Sequence, residues 1–129
     1  MAKRLRAKFA KCPYAGAPFP CCLLVPLSDL AITTAGDYRK YREVDGKRVA
    51  HILDPRTGRP LTHRLASVTV IDALAVRADA FDTALMVLGT DEGMALATKL
   101  NLAALFIERT NEGFVERATP RFEAIAAKR

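Results

Sequence analysis

Near residue 77 the hydrophobic pattern of this chain changes period, and that change decides what the chain can fold into. Upstream, β-branched and aromatic residues come in short runs: "LAITTAGDYRKYREV" (30–44) around Gly36, "KRVAHIL" (47–53) and "LASVTVI" (65–71). Such runs suit a pleated, half-buried surface. Asp45–Gly46, between the first two, is a strong hairpin signal, because the tight turn wants two residues with positive φ. Downstream, in "RADAFDTALMVLG" (77–89), Phe81, Ala84, Leu85 and Leu88 recur at helical spacing and predict one apolar face, with Gly89 as the stop. "DEGMALATKL" (91–100) predicts a second helix, "AALFIER" (103–109) a buried strand, and Glu112–Gly113 a turn into another strand. Strands joined by tight turns around one helix pair predict an α+β fold, with antiparallel strands and a central amphipathic helix pair.

A chain of 129 residues, half of them hydrophobic and 26% charged, reads as a soluble globular unit able to bury a core. No apolar run approaches the roughly 20 residues that span a bilayer. The nearest, "CCLLVPL" (21–27), is short and broken by Pro26, so no transmembrane segment is expected. Of the net charge of +6, residues 1–28 supply +5 through Lys3, Arg4, Arg6, Lys8 and Lys11, which leaves +1 for the rest. A nucleic-acid binder spreads its charge over a folded face, so this distribution argues against nucleic acid as a partner. Residues 1–22 are expected to be a basic head, disordered or non-homologous, before a folded portion at 23–129. Pro13, Pro18 and Pro20 interrupt any signal-peptide core in that head, and the chain as written is expected to be cytoplasmic. Cys12, Cys21 and Cys22 are odd in number and lack a paired CxxC spacing, and only His51 and His63 accompany them. Neither a zinc site nor a disulfide framework is supported, which leaves free thiols.

Three stretches could carry chemistry. Opposite the predicted apolar face lie Asp79, Asp82, Thr83 and Met86. Asp79 and Thr83 stand at i and i+4, where a carboxylate and a hydroxyl can converge on a hard cation such as Mg²⁺. The same residues also suit a solvated helix face, with acids near the positive end of the dipole. In "VAHILDPRTGRP" (49–60), Pro55 biases Asp54 toward an extended backbone, and the Asp54 carboxylate can then bond N–H groups further along the turn. Gly58 is the expected left-handed position. Turn chemistry accounts for Asp54, Pro55, Thr57 and Gly58 but not for His51. An imidazole titrating near ~6.5 is the usual side chain for moving a proton at neutral pH, although a packed or surface histidine fits as well. In "TTAGDYR" (33–39), Gly36 and Tyr38 suit either a strand bend or the close approach of a ligand with a ring system.

Taken in order and spacing, these motifs resemble the C-terminal part of the ApbE family, the bacterial FAD:protein FMN transferases once described as thiamine-biosynthesis lipoproteins. The resemblance runs from about Pro26 to about Glu123. The family's "TSGDY" appears as Thr34-Ala35-Gly36-Asp37-Tyr38, its "HxxDPxTG" as His51 to Gly58, and its "ADxxxT" as Ala78-Asp79 through Thr83. The resemblance implies part of a T-fold-like domain and a reaction in which FAD, as substrate, is cleaved at its pyrophosphate. FMN passes to a threonine of a target flavoprotein and AMP is released. It also implies roles: Asp79 and Thr83 as Mg²⁺ ligands, His51 as general base, Asp54 and Thr57 fixing the loop, and Ile52 lying against the flavin nucleotide. Gly36 and Tyr38 would belong to the site wall. Two departures stand out: Ala35 replaces the usual serine, and family members are well over twice this length. Their N-terminal half supplies most FAD contacts and a carbonyl ligand for the metal. The expectation is therefore a truncated member, either an enzyme completed by a missing N-terminal half or a homodimer mate, or a non-catalytic fragment that acts as an interaction module. Such enzymes usually work in the periplasm, anchored as lipoproteins.

Overall fold

A computed structural model of the chain describes residues 25, 27–36, 41–44, 47–50 and 52–127, with the backbone path alone for 41–44 and 47–50. At its centre is β6 (Leu65–Asp72), whose residues are nearly all buried, and the other elements are arranged around it. The strands that precede β6 are β1 (Ala31–Gly36), β2 (Tyr41–Val44), β3 (Lys47–Ala50), β4 (Leu53–Asp54) and β5 (Arg59–Pro60). After it come α1 (Ala75–Leu88), α2 (Thr90–Lys99), β7 (Ala103–Thr110), β8 (Gly113–Ala118) and α3 (Pro120–Ala126).

Four strands form an antiparallel sheet in the order β1-β6-β7-β8. Alternation along β6 and β7 gives the sheet two covered faces. Val68, Val70, Ala104 and Phe106 join Ala78, Leu85 and Met86 of α1 and Ala97 of α2 in one core. Ile71, Ala103 and Leu105 point the other way and meet Phe122 of α3, with Val25 and Leu27 alongside. Helices on an antiparallel sheet make this the expected α+β architecture.

The expected strand at 30–44 is two strands. β1 pairs with β6, with Ile32 opposite Ile71, Thr34 opposite Thr69 and Gly36 opposite Ser67. β2 and β3 form a separate antiparallel ribbon. Their register, Val44 opposite Lys47, leaves the two-residue gap that Asp45–Gly46 predicts, although those two residues lie outside the described ones. The expected strand at 47–53 also divides. Leu53 and Asp54 pair with Pro60 and Arg59, because the tight turn between them closes locally at little entropic cost.

Helix α1 corrects the predicted face. Its buried residues are Ala78, Asp82, Leu85 and Met86. Ala84 is exposed, while Phe81 and Leu88 are half-buried. The expected polar face is likewise split: Asp82 and Met86 go into the core, and Asp79 and Thr83 stay in solvent. Asp72 prepares the helix start by accepting the Leu74 N–H at 3.1 Å and the Arg77 Nε–H at 3.3 Å. Gly89, at φ +80°, ends α1 with its N–H on the Leu85 carbonyl. In α2, Asp91 and Glu92 in the first turn and Lys99 in the last complement the helix dipole. Helix α3 was not foreseen. Thr119, 1% exposed, caps it, accepting from Phe122 N–H and Ala104 N–H and donating to the Leu102 carbonyl at 2.7 Å. Among the described residues no helix is long and apolar enough to cross a membrane.

Gly93 sits where α2 crosses α1 and β7. A Cβ there would lie 2.9 Å from Phe106 Cε1 and 3.0 Å from the Leu85 carbonyl oxygen. Alanine gains about 1 kcal/mol of helix propensity over glycine, but overpacking a fixed backbone typically costs about 1–3 kcal/mol. Gly93→Ala is expected to lower the urea midpoint, opposite to the propensity trend. A midpoint that stays or rises would show that the crossing is looser than described.

Candidate functional site

The polar turn between β4 and β5 is built almost entirely from its own hydrogen bonds. The Asp54 carbonyl accepts from Thr57 N–H at 3.2 Å and Gly58 N–H at 2.7 Å, and Gly58 takes the left-handed conformation at φ +65°. The Asp54 carboxylate accepts the Arg56 N–H at 2.8 Å. It also takes a two-pronged grip from the Arg56 guanidinium, Nε at 3.0 Å and Nη2 at 2.9 Å. Thr57 Oγ1 accepts from Arg59 N–H at 3.2 Å. The Asp54 and Thr57 side chains are thus both bonded within the loop. The Arg56 side chain, then its N–H, holds the Asp54 carboxyl below its ordinary pKa, and nearby His63 adds to the effect.

This turn borders a cleft of about 320 Å³, whose wall includes Asp54, Arg56, Thr57, Arg59 and His63 and, from α1, Val87 and Leu88. Arg56 is engaged by Asp54 at 2.9 Å and lies 3.9 Å from Glu92, which leaves Arg59 as the cation of the wall outside that ion pair. His63, which sequence reasoning did not single out as a site residue, fastens the loop to the helix: its Nε2 donates to the Met86 carbonyl at 2.8 Å. That carbonyl belongs to the last turn of α1, where carbonyls lack helical partners. Gly89 makes room, since a Cβ there would come within 3.2 Å of the imidazole. The only sequence signal for this contact is a histidine three residues past the turn's Pro60.

The other expected residues are dispersed. Gly36 ends β1 opposite Ser67. Ile52 is half-buried against the core, and its carbonyl accepts from Leu61 N–H at 3.3 Å. His51 and Tyr38 lie outside the described residues. Asp79 and Thr83 do stand on one exposed side of α1, one turn apart, and neither lines the cleft. Thr83 Oγ1 donates to Asp82 Oδ1 at 3.0 Å. Asp82, 1% exposed, has its pKa raised: burial pushes it up, Thr33 and Thr83 pull down against that, and the charge of Asp79 adds to the rise. Among the described residues no three His, Cys, Asp or Glu side chains gather into a metal cage.

The lowered Asp54 pKa gives the turn a pH signature. A carboxyl whose folded pKa lies below its unfolded value of about 3.9 adds stability above that value, and the gain is lost as pH falls through the folded one. Asp54→Asn is expected to lower the melting temperature at about pH 7, and the gap from wild type should close as pH falls through the lowered folded pKa of Asp54. A pH-independent gap would remove the ion pair from the account.

Comparison with known proteins places this geometry. The ApbE family model matches residues 13–106. The FAD:protein FMN transferase of Salmonella typhimurium is 46% identical over 100 residues, which is 78% of this chain and 29% of that protein. That of Vibrio cholerae is 45% identical over 105 residues, 81% of this chain and 31% of that protein. The apo crystal structure of the Pseudomonas stutzeri flavinyl transferase ApbE shares the fold at a TM-score of 0.72 and 47% identity, covering 81% of this chain and 33% of that one. The chain thus spans about a third of the length of these relatives, within which turn, cleft and helix all fall. By sequence and by fold, the chain belongs to the ApbE family.

Proposed function

We propose that this chain carries the C-terminal part of a flavin-transferase site, acting in Mg²⁺-dependent transfer of FMN from FAD to a threonine of an acceptor flavoprotein. The observation that carries this reading is the company the relatives keep. Proteins named FAD:protein FMN transferase match the chain at 45–46% identity, and that same chain folds a self-bonded Asp54–Gly58 turn and sets Asp79 and Thr83 on one exposed helix side.

The residues present fit a hard cation in part. Asp79 offers a carboxylate, and Thr83 a hydroxyl oxygen whose proton is already given to Asp82. Mg²⁺ commonly takes one or two protein oxygens and completes its shell with phosphate and water. Bound there, it would neutralise charge on the diphosphate oxygens. His51 acts as general base: it takes the proton of the acceptor threonine as that oxygen bonds to the flavin-side phosphorus, and the bond to AMP breaks. Asp54 and Thr57 hold the loop that carries this stretch, Arg59 adds positive charge at the cleft, and Ile52, Gly36 and Tyr38 wall the flavin nucleotide.

A second reading is that the site works only against a complementary surface, whether an N-terminal portion such as the relatives carry or a second copy of this chain. The exposed Leu74 and Val76 at the start of α1, 56% and 74% accessible, suit such a contact.

Titration of the chain with FAD, followed by flavin fluorescence with and without Mg²⁺, tests the proposal. Saturable, Mg²⁺-dependent binding is expected, weakened about tenfold or more in Asp79→Ala, the scale of effect seen when metal sites lose a supporting group. Binding that ignores both Mg²⁺ and Asp79 would overturn the metal assignment. No binding by folded protein would favour the second reading.

A further inference from the structure

Asp82 is an expensive residue for its place. It stands 1% exposed on the buried side of α1, among Ala78, Leu85 and Met86. Aspartate is a poor helix former, and a buried carboxylate costs free energy unless its oxygens are bonded. Only one oxygen is: Oδ1 accepts from Thr83 Oγ1 at 3.0 Å. Oδ2 is buried with no hydrogen-bond partner, and so is Thr33 Oγ1 on β1, close enough to pull the Asp82 pKa down without closing a bond. Core stability does not explain this arrangement, since an aliphatic side chain would fill the place at lower cost.

The contact with Thr83 does explain it. A threonine hydroxyl has one proton and two lone pairs. In a helix that proton ordinarily turns back to the carbonyl four residues earlier, here Asp79, or rotates in solvent. Donation to Asp82 commits that proton to the buried carboxylate and leaves the two lone pairs of the hydroxyl oxygen to other partners. A cation needs those lone pairs and is repelled by the proton.

We propose that Asp82 is a positioning residue whose buried carboxylate accepts the hydrogen bond of the Thr83 hydroxyl and so presents the Thr83 oxygen, beside Asp79, as a ready cation ligand. This rests on the metal reading above, so the test separates the two. Three-bond couplings to Thr83 Cγ2 report its rotamer in the metal-free chain, and Mg²⁺ alone is titrated while the amide shifts of residues 79–83 are followed.

The wild-type chain should show a single Thr83 rotamer. Asp82→Asn, whose amide oxygen still accepts, should keep that rotamer and bind Mg²⁺ within about threefold of wild type, against the tenfold or more typical of a lost supporting contact. Asp82→Ala should average the rotamer and weaken Mg²⁺ binding about tenfold. Asp82→Leu, which fills the core, carries the same expectation should the alanine variant fail to fold. A merely structural Asp82 would shift the melting temperature and neither other readout. Mg²⁺ binding that Asp79→Ala abolishes and Asp82→Leu leaves intact overturns the inference alone. A wild-type chain that takes up no Mg²⁺ overturns the metal reading and the inference with it.

Discussion

Everything in the candidate site hangs on the seating of α1 against β1 and β6. Ala78 and Leu85 are wholly buried, as are Val68 and Val70, and they share one core with Phe106. Side chains on a helix are locked in direction by their neighbours, so burying Ala78, Asp82, Leu85 and Met86 leaves Asp79 and Thr83 no choice but the outer side. The same seating fixes the Met86 carbonyl, to which His63 ties the polar loop. One apolar contact thus sets the orientation of two polar groups of residues that do not touch each other.

Much of this was legible in the sequence, and for identifiable reasons. The Asp54–Gly58 turn was readable because its rules are local: proline before an arginine N–H, a carboxylate two residues back, glycine where φ must be positive. β6, β7 and α2 follow from composition that matches their surroundings, and Gly89 stops α1 as its place predicts. The face of α1 was not readable. Alanine occurs on both sides of it, exposed at Ala84 and buried at Ala78, while an acid occupies a core position at Asp82. Periodicity assumes that charge means solvent, and Asp82 breaks that assumption where polarity serves a neighbouring side chain. The cap of α3 was missed because Thr119 draws its partners from β7 and the preceding loop, at Ala104 and Leu102, which no local pattern reveals.

The two halves of the site differ in how far this chain alone can preorganise them. The turn is self-bonded: its carboxylate, carbonyl and hydroxyl are bonded within the six residues 54–59, and His63 anchors its flank to α1. Nothing beyond this chain is needed to hold it. The exposed side of α1 differs. On the metal reading proposed above, Asp79 and Thr83 would supply two oxygens, and a hard divalent cation asks for six or so ligands in all. Preorganised ligands lower the cost of binding but do not replace absent ones.

That difference bears on how a part of an ApbE-family protein relates to the whole. On the metal reading, a two-oxygen cation position would gain its remaining ligands from substrate phosphate, water or another polypeptide, and its affinity would report whether those are present. Asp82 makes physical sense in that setting. Where few protein ligands are available, each must be fixed in advance. A buried carboxylate that orients one hydroxyl offsets part of its own desolvation through the entropy the site no longer loses when a cation arrives.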